Sequence, residues 1–61
     1  MSYSIFLLKQ SLSNINYNIN VYEKMDSCFI TDEDRKVTLN DLYEAKSKLE
    51  KDIEILTKNN D

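Results

Sequence analysis

The 61-residue chain has no glycine, no proline, no tryptophan and no histidine, and its one cysteine is Cys28. A single cysteine excludes an internal disulfide, and without histidine the usual zinc ligand sets cannot be assembled. The missing imidazole also removes the commonest acid–base catalyst, and the missing glycines remove phosphate-cradling loops. Long apolar runs are absent too. The longest, Ile5 to Leu8, falls far short of the roughly 20 residues that span a bilayer, and no basic segment with a long apolar stretch marks a signal peptide. The chain reads as a soluble, cytoplasmic protein, in the host cytoplasm if viral, with no membrane partner and no cofactor. The richness in Asn, Ile, Lys and Tyr suggests an AT-rich coding sequence of viral or low-GC bacterial kind.

Leu, Ile, Val and Phe together make up 17 of the 61 residues, more than disordered chains carry, so folding is expected. One small domain, residues 1–61, is all the length allows. A chain of this size buries only about 60% of the surface its unfolded form exposes, and help from a second chain is expected.

Charge is distributed unevenly. Residues 1–31 balance to zero, whereas residues 32–61 account for the whole net charge of −3. From Met1 to Tyr22 the only charged side chain is Lys9. Direct nucleic-acid binding needs a positive field that the chain lacks. A membrane-surface helix is disfavoured as well, because the polar side of this segment offers Ser and Asn where Lys and Arg are needed.

Ile5, Leu8, Leu12, Ile15, Ile19 and Tyr22 recur at steps of three and four residues, which predicts a helix over residues 4–25, with Ser2 or Ser4 available to cap it. Alternation of Ile15, Tyr17, Ile19 and Val21 with Asn16, Asn18 and Asn20 is a competing strand signal. It covers only one segment, while the three-four pattern covers the whole run. A second helix is predicted over 39–58 from Leu39, Leu42, Leu49, Ile53 and Leu56, with Lys46 in the one expected apolar slot and Ala45 beside it. Thr38 and Asp41 suggest its capping box, and Val37 with Leu42 a hydrophobic staple. Glu44 with Lys48, and Glu54 with Lys58, are favourable i,i+4 pairs.

These elements imply an all-α fold, an antiparallel two-helix hairpin with the 12-residue connection 26–37, completed as a four-helix bundle or coiled coil by self-association or by a partner. Connections between neighbouring helices usually take two to eight residues, so this one is expected to carry structure of its own. Cys28 to Thr31 and Arg35 to Leu39 are compatible with a β-hairpin, which the lack of glycine disfavours. Asp32-Glu33-Asp34 begins like a calcium loop. Counted from Asp32, however, the sixth position is Val37 where glycine is needed and the twelfth is Tyr43 where glutamate is needed. It is read as a solvated acidic loop, with no metal expected. Cys28 has no histidine beside it and Asp26 close by, which opposes a reactive thiolate; a small buried residue is expected.

A hairpin needs one apolar stripe per helix, and the first helix has more. Tyr3, Phe6, Leu7, Tyr17 and Val21 lie off the Ile5–Tyr22 stripe. Together with Ile55 of the second helix they are the candidate partner-binding residues, with Tyr17 favoured because tyrosine is enriched at interfaces. The expected function is a small, non-enzymatic protein–protein interaction module, binding a protein partner or another copy of itself by burying that excess. An alternative is an acidic inhibitor that imitates nucleic-acid charge against a nucleic-acid-binding protein. A third follows from Arg35 to Glu54, RKVTLNDLYEAKSKLEKDIE, which resembles the strand-then-helix end of small phage head–tail joining proteins. The likeness covers about a third of the chain, lacks a glycine at the hairpin, and implies a virion or assembly component with a β-hairpin between two helices.

Overall fold

A computed structural model describes residues 3–59, and these form two helices, α1 (Tyr3–Lys24) and α2 (Asp32–Asn59), joined by residues 25–31. At 1.5 Å per residue they are about 33 and 42 Å long. The long axis of the molecule is 47 Å against 14 and 11 Å across, so the helices lie side by side, and their antiparallel sense follows from contacts between the end of α1 and the start of α2. The fold is the expected all-α hairpin. No strand occurs among the described residues, and the Asn-rich stretch from Ile15 to Val21 is helical throughout.

The seam is the one the three-four spacing describes. Ile5 and Ile19 are buried, at 5% and 6% exposure, and Leu8, Leu12, Ile15 and Tyr22 are half-buried. Across from them, Leu39, Leu42, Leu49, Ile53 and Leu56 of α2 are half-buried, as are Ala45 and Lys46. Lys46 can hold an apolar position because its methylene stem covers the seam while its ammonium group reaches water. Two helices share one line of contact and enclose no interior. Accordingly the radius of gyration is 14.3 Å, where a compact chain of this length has about 10–11 Å.

The start of α2 corrects the sequence-based expectation. The helix begins at Asp32 and not at residue 39, so the connection falls within the usual two to eight residues. Thr31 is the cap: its Oγ1 accepts from the Asp34 amide at 3.1 Å, and its carbonyl accepts the first helical bond, from Arg35 N at 2.9 Å. Thr38 therefore lies inside the helix, where no cap or staple is needed. Asp32, Glu33 and Asp34 are not a loop but the first turn of α2, where three carboxylates meet the positive end of the helix dipole. The β-hairpin reading fails because the second of its strands, Arg35 to Leu39, is helical. The strand-then-helix feature behind the resemblance to head–tail joining proteins is absent for the same reason. At the other terminus Ser2 lies outside the described residues, and Ser4 is within α1 and not before it.

The connection turns without glycine. The Asp26 carbonyl accepts from Phe29 N at 3.0 Å, closing a four-residue turn, and Asp26 Oδ1 accepts from Cys28 N at 3.2 Å. Aspartate at the first position of such a turn satisfies the backbone two residues on, and no described residue needs a positive φ. Cys28 is exposed on this turn, contrary to the expected burial, because Met25 and Ile30 are the residues of the connection that turn inward and Cys28 sits in the turn between them.

Candidate functional site: the outer face of α1

A helix leaves its last four carbonyls without intrahelical partners, and most chains satisfy some of them by placing a glycine in the left-handed conformation just beyond the end. This chain has no glycine to spend there. Instead the Arg35 guanidinium, from the first turns of α2, donates through Nη1 to the carbonyls of Tyr22 at 2.9 Å and Glu23 at 3.1 Å, and through Nη2 to that of Met25. One half-buried cation thus finishes α1, adding charge-assisted bonds at the negative end of its dipole. It also ties the end of α1 to the start of α2, while the Ile5–Tyr22 seam sets which side of α1 faces α2.

The side left outside is uncharged from Tyr3 to Val21, with apolar and aromatic residues at its two ends and Ser, Gln and Asn between them. Tyr3 is 74% exposed, Phe6 52%, Leu7 42% and Tyr17 69%. Tyr3 and Phe6 stack with ring centroids 6.5 Å apart, one helical turn from each other. Val21 is half-buried at the far end of the same side. At 100° per residue, Tyr3, Leu7, Tyr17 and Val21 lie within one narrow strip centred about 150° away from the Ile5–Tyr22 seam. Five of the six sequence-derived candidates are therefore brought onto one helix face or its flank. Ile55 is not among them: it is exposed on α2, on the side turned away from α1, with charged neighbours.

The structure also exposes Phe29 on the connection and Val37 and Tyr43 on α2; of these only Tyr43 stands out in the sequence, as a tyrosine of the kind enriched at contact surfaces. Val37 and Tyr43, with Leu39, line a shallow open depression along the first turns of α2, rimmed by Asp32, Arg35 and Lys36. The exposure of Val37 follows from the early start of α2, which sets it on the outer side of a helix and leaves no staple to cover it. The acidic groups of α2 do not form an unbroken ridge. Lys48 pairs with Glu44 at 3.8 Å and Lys58 with Glu54 at 3.1 Å. Among the described residues no group of three or more His, Cys, Asp or Glu is placed to hold a metal ion, and no helix is long and apolar enough to cross a membrane.

No family model, curated protein or solved structure matches this chain. Its function must be argued from its own surface.

Proposed function

We propose that the protein is a non-enzymatic interaction module whose working surface is the outer face of α1. One observation carries this reading: a helix in a 61-residue chain leaves two tyrosines, a phenylalanine and a leucine in water on a face with no charge to solvate it. Taking an aromatic side chain as roughly 200 Å², these four residues alone expose roughly 450 Å² on one helix, with Tyr3, Phe6 and Leu7 grouped at its start and Tyr17 ten residues further on. Burying each large side chain contributes about 1.5–3 kcal/mol, so covering this face is worth as much as a small domain's entire stability. The acidic-mimic alternative gains less support, because Lys48 and Lys58 neutralise the carboxylates an acidic ridge would need.

The test is affinity capture from the native source with a tagged chain, comparing the wild type with Leu7→Asp and Tyr17→Asp on α1 and Lys48→Ala on the outer side of α2. Loss of the captured protein, whether another copy or a different chain, with the α1 variants alone is the expected result. Equal capture by all four chains would remove the basis of the proposal.

A further inference from the structure

The outer face of α1 carries a second heptad row, independent of the seam with α2. Tyr3, Leu7, Gln10, Asn14, Tyr17 and Val21 follow one another at steps of four and three residues, the repeat that lets one helix seat along another. All six are on the surface or half-buried, and the row is apolar at both ends with two amides in the middle. The flanking positions, Ser4, Phe6, Ser11, Ser13, Asn18 and Asn20, are all uncharged, so no charge pattern selects a foreign helix.

Resting on the reading that this face is the working surface, we infer that its partner is a second copy of the chain, with α1 packed antiparallel on α1 about a two-fold axis near residue 12. In that register Tyr3 of one copy faces Val21 of the other, Leu7 faces Tyr17, and Gln10 faces Asn14. Large side chains meet smaller ones, as interdigitated layers require, and each amide meets an amide that can satisfy it. The heavier end of the patch, Tyr3 with Phe6 and Leu7, lies on the lighter end, Tyr17 with Val21. A parallel pair would set tyrosine against tyrosine at two layers, leave valine on valine, and place Lys24, the next residue in the row, against its own copy.

Area and charge agree with a self-pair. Full burial of Tyr3, Phe6, Leu7 and Tyr17 would remove roughly 900 Å² from water across two copies, and Val21 with the amides and flanking positions brings the total to the roughly 1,000 Å² that marks a specific interface. Because the two seams of α1 are nearly opposite, the helices would line up in the order α2, α1, α1, α2. With 8–10 Å between neighbouring axes, the two acidic helices end up roughly 25–30 Å apart, beyond the ~8 Å screening length at physiological salt. Pairing through α2 would instead bring like charges together.

The experiment is sedimentation of the purified full chain, with far-UV circular dichroism as the check on folding. The wild type should sediment as a dimer. Leu7→Lys and Tyr17→Glu alter exposed positions, so each variant should stay helical yet dimerise on the order of 100-fold more weakly, because each change enters a two-fold interface twice. Mixed one to one, the two variants should form a heterodimer, since the antiparallel register sets the two substituted positions against each other and leaves a native Leu7–Tyr17 contact opposite. Rescue by mixing Leu7→Lys with Leu7→Glu instead would overturn the antiparallel pair, and a dimer indifferent to every substitution would overturn α1 as the interface. A wild-type chain that stays monomeric at hundreds of micromolar would overturn self-pairing. If capture from the native source still depended on Tyr17, the broader interaction reading would survive that result and the partner would be another protein.

Discussion

The two helices present the same kind of inner stripe and opposite kinds of outer surface. On α2 most of the outer side is acidic residues and lysines, two pairs of which bridge at 3.8 and 3.1 Å, with Val37, Tyr43 and Ile55 exposed among them. On α1 the corresponding side has tyrosine, leucine and amides, with Lys9 the only charge between Tyr3 and Tyr22. A seam of the same pattern thus serves two different ends. For α2 that seam backs onto a mostly charged surface, whereas α1 carries on its far side the exposed Tyr3, Phe6, Leu7 and Tyr17 with no charge among them. The proposed interaction rests on this contrast, because the uncharged outer side of α1 keeps large side chains exposed.

The sharpest break of this comparison lies within α1 itself. Ile19→Asp puts a carboxylate on the buried stripe and should cost at least about 3 kcal/mol, enough to abolish the helical dichroism of a small hairpin. Tyr17→Asp, two residues away on the outer side, should leave that signal intact. Equal loss of folding in both would mean that the two sides of α1 do not differ as described.

The next largest effect concerns how the helices end. Arg35→Ala removes the donors to Tyr22, Glu23 and Met25 and should lower stability by about 1.5–3 kcal/mol, with each kcal/mol moving the thermal midpoint about 4–8 °C. Arg35→Lys should recover only part, since one ammonium group cannot reproduce a planar fork. A full recovery would show that charge alone holds the end of α1. Smaller again is the cap of α2: Thr31→Ala should cost about 1 kcal/mol in chemical denaturation, and Thr38→Ala less than about 0.5. The reverse order would put the start of α2 where the sequence alone suggested it. Smallest is the outer side of α2, where Glu54→Gln should cost about 0.2–0.5 kcal/mol at low salt and nothing measurable in 1 M salt.

Much of this was legible in the chain. The three-four spacing of Ile5 through Tyr22 and of Leu39 through Leu56 predicts both seams, and Glu44–Lys48 and Glu54–Lys58 are readable pairs because neighbours on a helix surface are fixed by spacing alone. The start of α2 was misread because Thr38 with Asp41 and Thr31 with Asp34 offer the same cap chemistry at the same separation. What separates them is Arg35. Read locally it is one charged residue in a β-compatible run, and its value lies in carbonyls of residues 22, 23 and 25 that spacing does not bring near it. Cys28 and Phe29 were equally opaque, since exposure on a connection depends on where both helices stop. The site itself was mostly readable, because Tyr3, Phe6, Leu7, Tyr17 and Val21 lie off the seam by arithmetic. Ile55 lies off the seam of α2 by the same arithmetic, and because the two seams face each other it ends on the opposite side of the molecule from that strip.

Sequence by itself determined that there would be two amphipathic helices, one with more apolar surface than a single neighbour can cover, because helical periodicity is a local property and each residue's transfer free energy travels with it. Only the tertiary structure decided which of two like caps starts α2 and how α1 is brought to an end without a glycine. Those outcomes depend on a guanidinium meeting carbonyls more than ten positions away in the chain, a meeting that exists only once the two helices lie against each other.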